Sequence, residues 1–180
     1  MPDAAQMTTH NLTITRATEA DLDGILQLQA ENQLDHGGAL ASSLSPARIL
    51  AMLLAMPVVV ARDGDEIIGF LLTAARDMND DYPLVKAMLE AYRASEDTYI
   101  YGPICVTEHE RGHGLAQLMF DELCRLEPDR EGILFVGKNN EASMHAHQKM
   151  GMREVATFIH DQSEFAVFSF RGKPAVPAAP

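Results

Sequence analysis

The stretch Val106-Thr107-Glu108-His109-Glu110-Arg111-Gly112-His113-Gly114-Leu115-Ala116 decides how this chain is read. An apolar run, Tyr99 to Val106, leads into it and reads as a strand. Two glycines follow, and a helical pattern starts at Leu115. A strand, a glycine turn and a helix start together present backbone N–H groups to phosphate. Glycine permits the tight turn, and the first helical N–H groups have no partner in their own helix. The same residues hold a rival signal, because His109-Glu110-Arg111-Gly112-His113 fits H-E-x-x-H, the zinc-hydrolase pattern.

Helix geometry separates the two readings. H-E-x-x-H binds zinc only when both histidines lie on one face of a continuous helix, with the glutamate beside the metal-bound water. Here Gly112 lies inside the pattern and Gly114 just after it. Each costs roughly 1 kcal/mol in a helix interior. The preceding strand leaves no room for a helix to begin before His109. A third ligand has no defined place; Glu127 and Glu131 qualify by distance along the chain alone. The expectation is a phosphate cradle and no metal site. Zinc hydrolysis and a ligand-free turn are the competing readings.

Outward from this turn the chain reads as mixed α/β. Leu12 to Arg16 alternates as a strand, and Thr18 caps a helix with apolar Leu22, Ile25, Leu26 and Leu28, running to about Ala30. Glu31 to Leu44 is polar and reads as a mobile loop. Ser45-Pro46 opens a second helix, to about Met56. Val58–Arg62 and Glu66–Ala75 form a hairpin through Asp63-Gly64-Asp65. Asn79 to Pro83 opens a third helix carrying Val85, Met88, Leu89 and Tyr92 on one face. Gly102-Pro103 interrupts the Tyr99–Val106 strand and predicts a bulge or a splayed strand. After the turn, Leu115, Leu118, Met119, Leu123 and Leu126 mark a helix. Ile133–Val136 is a buried strand, Asn140 begins a helix that ends near Gly151, and Arg153–Ile159 and Glu164–Phe170 are the last strands. The segment from Tyr99 to Val136 predicts a right-handed parallel crossover.

Length and composition bound the function. The 180 residues suit one domain, read as 1–172, followed by a disordered Pro/Ala-rich tail, 173–180. A formal charge of -12 argues against nucleic acid, which needs clustered Lys and Arg, and favours a cationic partner such as an amine. The first ten residues lack an apolar signal, and the longest apolar run, Ile49 to Ala61, is too short to span a bilayer. Cys105 and Cys124 form no disulfide framework and no CxxC pair. The expectation is a reduced, cytoplasmic protein that contacts no membrane.

Arg111-Gly112-His113-Gly114-Leu115-Ala116 resembles the Q/R-x-x-G-x-G/A motif of the GCN5-related N-acetyltransferase (GNAT) superfamily, and Val106 matches the strand residue that precedes it. Asn140-Glu141-Ala142-Ser143-Met144-His145-Ala146-His147-Gln148-Lys149-Met150-Gly151-Met152 is similar to the superfamily's second motif, N-x-x-A/S-x-x-x-Y/H-x-x-x-G-F/M, with Leu134 and Val136 ahead of it. The chain is most similar to a group of uncharacterised bacterial acetyltransferases. The resemblance implies a mixed, mostly antiparallel sheet with one splayed parallel pair and helices on both faces. It implies acetyl-CoA as co-substrate. The pantetheine arm would bond the backbones of Ile104, Cys105 and Val106, and the N–H groups of Arg111, Gly112, His113, Gly114, Leu115 and Ala116 would hold the pyrophosphate. Asn140 and Ser143 would line the cofactor side of the second helix.

The reaction so implied is direct: a neutral amine attacks the thioester carbonyl, and the CoA thiolate leaves. Many relatives place a Tyr acid seven residues after the Asn; here that residue is His147, the expected catalytic group. Several relatives carry a Glu base five residues before the Asn; here Phe135 stands there. The base then lies elsewhere, or water relays the proton to bulk; by position Glu31, Tyr99 and Tyr101 are the expected base or acceptor contacts, with solvated or packing roles as the alternative. The helix near Leu84–Tyr92 departs from the superfamily core and is expected to wall the acceptor pocket or to face a second subunit in a homodimer, while an apolar stripe such as Val85, Met88, Leu89 and Tyr92 is more often plain core. A non-catalytic acyl-CoA-binding module is the alternative. Neither G-x-x-x-x-G-K-[ST] nor a G-x-G-x-x-G after a strand is present, which argues against a nucleotide-binding domain.

Overall fold

A computed structural model describes residues 11–38, 40 and 43–174. The first ten residues, most of the tail and three residues of the Glu31–Leu44 loop lie outside the described residues. Seven strands form one sheet: β1 (Leu12–Arg16), β2 (Val59–Asp63), β3 (Glu66–Ala75), β4 (Tyr99–Val106), β5 (Glu131–Gly137), β6 (Arg153–His160) and β7 (Ser163–Arg171). Their order is β1-β2-β3-β4-β5-β7-β6. Every pairing is antiparallel except β4 with β5. Five α-helices accompany them: α1 (Leu22–Glu31), α2 (Pro46–Ala55), α3 (Pro83–Ala91), α4 (Leu115–Leu126) and α5 (Glu141–Lys149).

Period-2 alternation along the strands feeds two cores, one on each face of the sheet. Phe70, Leu72, Ile100, Ile133 and Val167 turn to one side. There they meet Ile25 and Leu28 of α1, Ile49 and Met52 of α2, and Val85 and Met88 of α3. Leu71, Tyr99, Tyr101, Phe168 and Phe170 turn to the other, against Leu115, Met119 and Leu123 of α4. Each fully buried aliphatic or aromatic side chain contributes about 1.5–3 kcal/mol of burial. The expected mixed α/β architecture, with helices on both faces, is the one observed.

Three local readings change. The helix expected from Thr18 opens instead as one 3-10 turn, Glu19–Asp21, before α1. Asp21 explains the turn: it accepts the Thr18 N–H at 2.8 Å and pairs with Arg62 at 2.6 Å, which holds this entry against β2. Glu31 is the last residue of α1 rather than loop, and the segment after it is tied down. Gln29 bonds Leu44 through both its amide groups, at 3.0 Å each, and a 3-10 turn spans Leu34–His36. The apolar stripe of α3 is turned to the sheet. Val85 and Met88 are core residues, and the helix packs on β6 and β5.

Candidate active site

The site begins where β4 and β5 part. They pair only at Tyr99↔Gly132 and Ile100↔Ile133. Beyond that point β4 stays with β3 and β5 stays with β7. The cause is in β4. Gly102 and Pro103 together oppose Leu72 alone, since Tyr101 pairs with Thr73 and Ile104 with Leu71. Pro103 has no N–H to give a neighbour, and Gly102 has φ +103°, a conformation open to glycine and strained for other residues. The bulge expected from Gly102-Pro103 is therefore present, and it coincides with the split.

The register says which backbone groups face the opening. The Thr107 N–H donates to the Ile68 carbonyl at 2.8 Å, so residues 107 and 105 face β3. In an antiparallel ladder the alternate residues face the other way. Ile104 and Val106 thus turn their N–H and C=O groups into the split, while the Cys105 backbone bonds across to Phe70. Cys105 was expected to bond the arm, and strand alternation directs its backbone elsewhere. Its side chain lies on the α1 face, and burial pushes the thiol up to about 11.

The turn follows directly. A 3-10 turn spans Glu108–Glu110, Gly112 and Gly114 have φ +80° and +84°, and α4 starts at Leu115. The two imidazoles therefore lack the shared helical face that a zinc pattern requires; His113 instead lies 3.3 Å from Glu110. Among the described residues, the N–H groups of Gly112, Gly114, Leu115 and Ala116 find no protein acceptor. Those of Arg111 and His113 bond back to Glu108 and Glu110. The free N–H groups sit at the positive end of α4, the arrangement that holds phosphate. Arg111 adds a tie that the sequence did not reveal: its Nε donates to the Val106 carbonyl at 3.3 Å and a terminal nitrogen donates to Asn32 Oδ1 at 2.6 Å. Arg111 and Asn32 are 79 residues apart, and no spacing rule links them.

The second motif lies on α5, which is on the same side of the sheet as α4. Asn140 caps it, accepting the Ser143 N–H at 3.1 Å and leaving its amide NH2 without a partner among the described residues. His147 is buried, whereas His145 on the same helix is exposed. The His147 Nδ1 lies 2.7 Å from the Ser143 carbonyl. A carbonyl can only accept, so the Nδ1 carries the proton. The neutral ring then presents a bare lone pair at Nε2, which is buried with no partner among the described residues. Burial also pulls the imidazole pKa down, favouring that neutral form. An acid at this position was expected; the neutral ring accepts at Nε2 and donates there only after gaining a second proton.

The three expected acceptor contacts lie in three places. Glu31 is exposed on the last turn of α1, with its charge felt at Cys105. Tyr101 is buried against the His147 ring, centroids 5.6 Å apart and edge to face. Tyr99 has no exposed surface. It lies at the closed end of β4, with its ring against Phe170 and the Arg130 guanidinium above it. A residue so enclosed is a core residue, which corrects the expectation for Tyr99. Phe135 packs against Phe158 and Phe165 and offers no base.

A split strand pair with outward backbone groups, beside a turn of free N–H groups, fits an acyl-CoA: the amides of its arm need strand-like partners and its pyrophosphate needs donors. Comparison with known proteins agrees. The model of the acetyltransferase (GNAT) family matches residues 28–152. No curated protein matches the chain. Several solved structures share the fold. An N-acetyltransferase from Staphylococcus aureus Mu50 is 18% identical, with 91% of this chain and 99% of that one covered and a TM-score of 0.63. The putative acetyltransferase yncA from Salmonella typhimurium, solved with its cofactor acetyl-CoA, is 17% identical, with 94% and 98% covered and a TM-score of 0.63. The ribosomal-protein-S18-alanine N-acetyltransferase from Escherichia coli is 13% identical, with 94% and 99% covered and a TM-score of 0.64. With the family model spanning most of the chain and the fold and turn in place, this protein belongs to the GNAT family of acetyltransferases, enzymes whose acetyl donor is acetyl-CoA.

Proposed function

We propose that this enzyme moves the acetyl group of acetyl-CoA directly to a primary amine on a small molecule or peptide. The observation that supports it most is the split between β4 and β5, which opens onto a turn with four free N–H groups. Ile104 and Val106 would bond the pantetheine arm. Gly112, Gly114, Leu115 and Ala116 would hold the pyrophosphate, and the Asn140 amide and Ser143 would border the arm. Acetyl-CoA supplies an activated acyl group and departs as a thiol, so the amine must lose a proton and the sulfur must gain one.

His147 is the group proposed to move that proton. Its Nε2 lone pair is bare, buried and kept neutral by its surroundings. It takes a proton from the attacking neutral amine, becomes imidazolium, and returns that proton to sulfur; the further proton of an ammonium acceptor passes to water before attack. The Ser143 carbonyl holds the ring and stabilises the transient imidazolium through Nδ1. Glu31, exposed on α1, attracts a cationic amine to the mouth of the site, in a chain already at -12. Tyr101 shapes the wall against which His147 rests.

The test is His147→Phe and His147→Tyr against a panel of amines, with acetyl-CoA binding measured separately. Expected results are a fall of roughly 10²–10⁴-fold in turnover for Phe, an unchanged acetyl-CoA affinity, and partial recovery with Tyr. The wild-type rate should fall on the acid side, at a pH lower than the ordinary imidazole value because burial pulls His147 down, where Nε2 fills with a proton. Unchanged turnover in the Phe variant would remove His147 from the reaction. Acetyl-CoA binding with no transfer to any amine would make the chain a binding module.

A further inference from the structure

The chain is strongly acidic, yet four of its fourteen basic residues line one notch of about 610 Å³. Arg93, Arg153, Arg171 and Lys173 form its exposed rim, over a floor that includes Phe120 and Phe170. Five of the ten basic residues elsewhere are ion-paired: Arg48–Asp81, Arg62–Asp21, Arg125–Glu122, Arg130–Glu127, and Lys138 with Glu154 and Glu164. Among the described residues, the side chains of Arg93, Arg153 and Lys173 form no hydrogen bond or ion pair, and that of Arg171 gives one bond, to the Asp129 carbonyl.

Two carboxylates line the notch, and neither pairs with the rim. Glu131 is buried and engaged within the protein: Oε1 accepts from Tyr92 and Ser169, and Oε2 accepts from the Ser95 N–H and hydroxyl, all at 2.7–2.8 Å. Asp121 accepts from Gln117 at 2.9 Å. The Glu131 bonds also fix the exit of α3, which carries Arg93, so that part of the rim is pre-ordered. The notch lies by Met150 and Gly151, at the far end of α5 from Asn140, about 13 Å along a nine-residue helix. It shares no residue with the 111–116 turn.

We infer that this notch is a second binding site, separate from the acetyl-CoA site, for a small molecule carrying two or more negative charges, such as a phosphorylated or polycarboxylate compound. Its volume falls in the range of small-molecule sites, and unpaired arginine forks match carboxylate and phosphate oxygens. A larger polyanion such as nucleic acid is disfavoured by the acidic remainder of the surface.

Calorimetric titration with citrate and with inorganic pyrophosphate, each with and without saturating CoA, tests this. At least one probe should bind with CoA present, at low ionic strength, and weaken with added salt. The combined Arg93→Gln, Arg153→Gln and Lys173→Gln variant changes only exposed side chains. It should weaken that binding at least tenfold while leaving acetyl-CoA affinity unchanged. Binding abolished by CoA, binding insensitive to the variant, or binding of neither probe at millimolar concentration would each overturn the inference. Acetyl-CoA affinity, measured on the same samples, tests the acetyl-CoA site independently.

Discussion

At the scale of single residues, Gly114 shows how backbone conformation and ligand binding meet. It is the N-cap of α4 with φ +84°, and a Cβ added there would touch nothing within 4 Å. Only the left-handed conformation calls for glycine. Gly114→Ala therefore costs about 1–2 kcal/mol of strain, or relaxes and turns the free N–H groups away. The expected outcome is acetyl-CoA affinity reduced roughly tenfold with a smaller loss in thermal stability, read by calorimetry and a melting curve. His147 shows the limit of residue-level reading. Its place seven positions after Asn140 was legible, and so was its burial on the face shared with Ser143. The proton on Nδ1 was not, because it depends on a carbonyl brought to 2.7 Å by the helix itself.

At the scale of elements, the exit of α3 is anchored by one buried carboxylate. Burial pushes Glu131 up, but bonds from Ser95, Ser169 and Tyr92 outweigh it and hold the group at about 2, below its usual 4.5. A depressed carboxylate stabilises the fold above its unfolded value, and that stability is lost as pH falls from about 4.5 towards 2. Glu131→Gln keeps the shape but removes the charge and the acceptor capacity of one oxygen. It should cost on the order of 3 kcal/mol at neutral pH and flatten the acid limb of stability, measured by urea unfolding at pH 7 and pH 4. The residue was noticed in the sequence only as a distant candidate zinc ligand. Its partners come from α3's exit and from β7, up to 39 positions away. The α3 stripe itself was legible as amphipathic, while the choice between core and interface was not: period 3.6 marks a buried face without saying what buries it.

At the scale of the whole molecule, the sheet is held as one unit on both faces, and the proposed acetyl-CoA site lies where, among the described residues, the neighbouring strands β4 and β5 part. A ligand that binds only this folded arrangement raises the melting temperature by mass action, about 2.7 kcal/mol at a hundred times its dissociation constant. Acetyl-CoA at such a concentration should raise the melting temperature by several degrees. Zinc at equal concentration should not, since His109 and His113 share no helix. A shift with zinc alone would contradict the turn described above.

The sequence by itself determined most of the elements and the glycine turn proposed to hold the cofactor. Hydrophobic period, caps and glycines act over a few residues, so the strand–turn–helix at 106–116 and the bulge at Gly102-Pro103 were readable from their own letters. Tertiary structure alone decided which groups face the split and which are sealed in the core. It also decided that Arg111 reaches Asn32, and that four cations gather around one notch. Those outcomes depend on strand register and on contacts between segments far apart in the chain, where no local spacing carries the information.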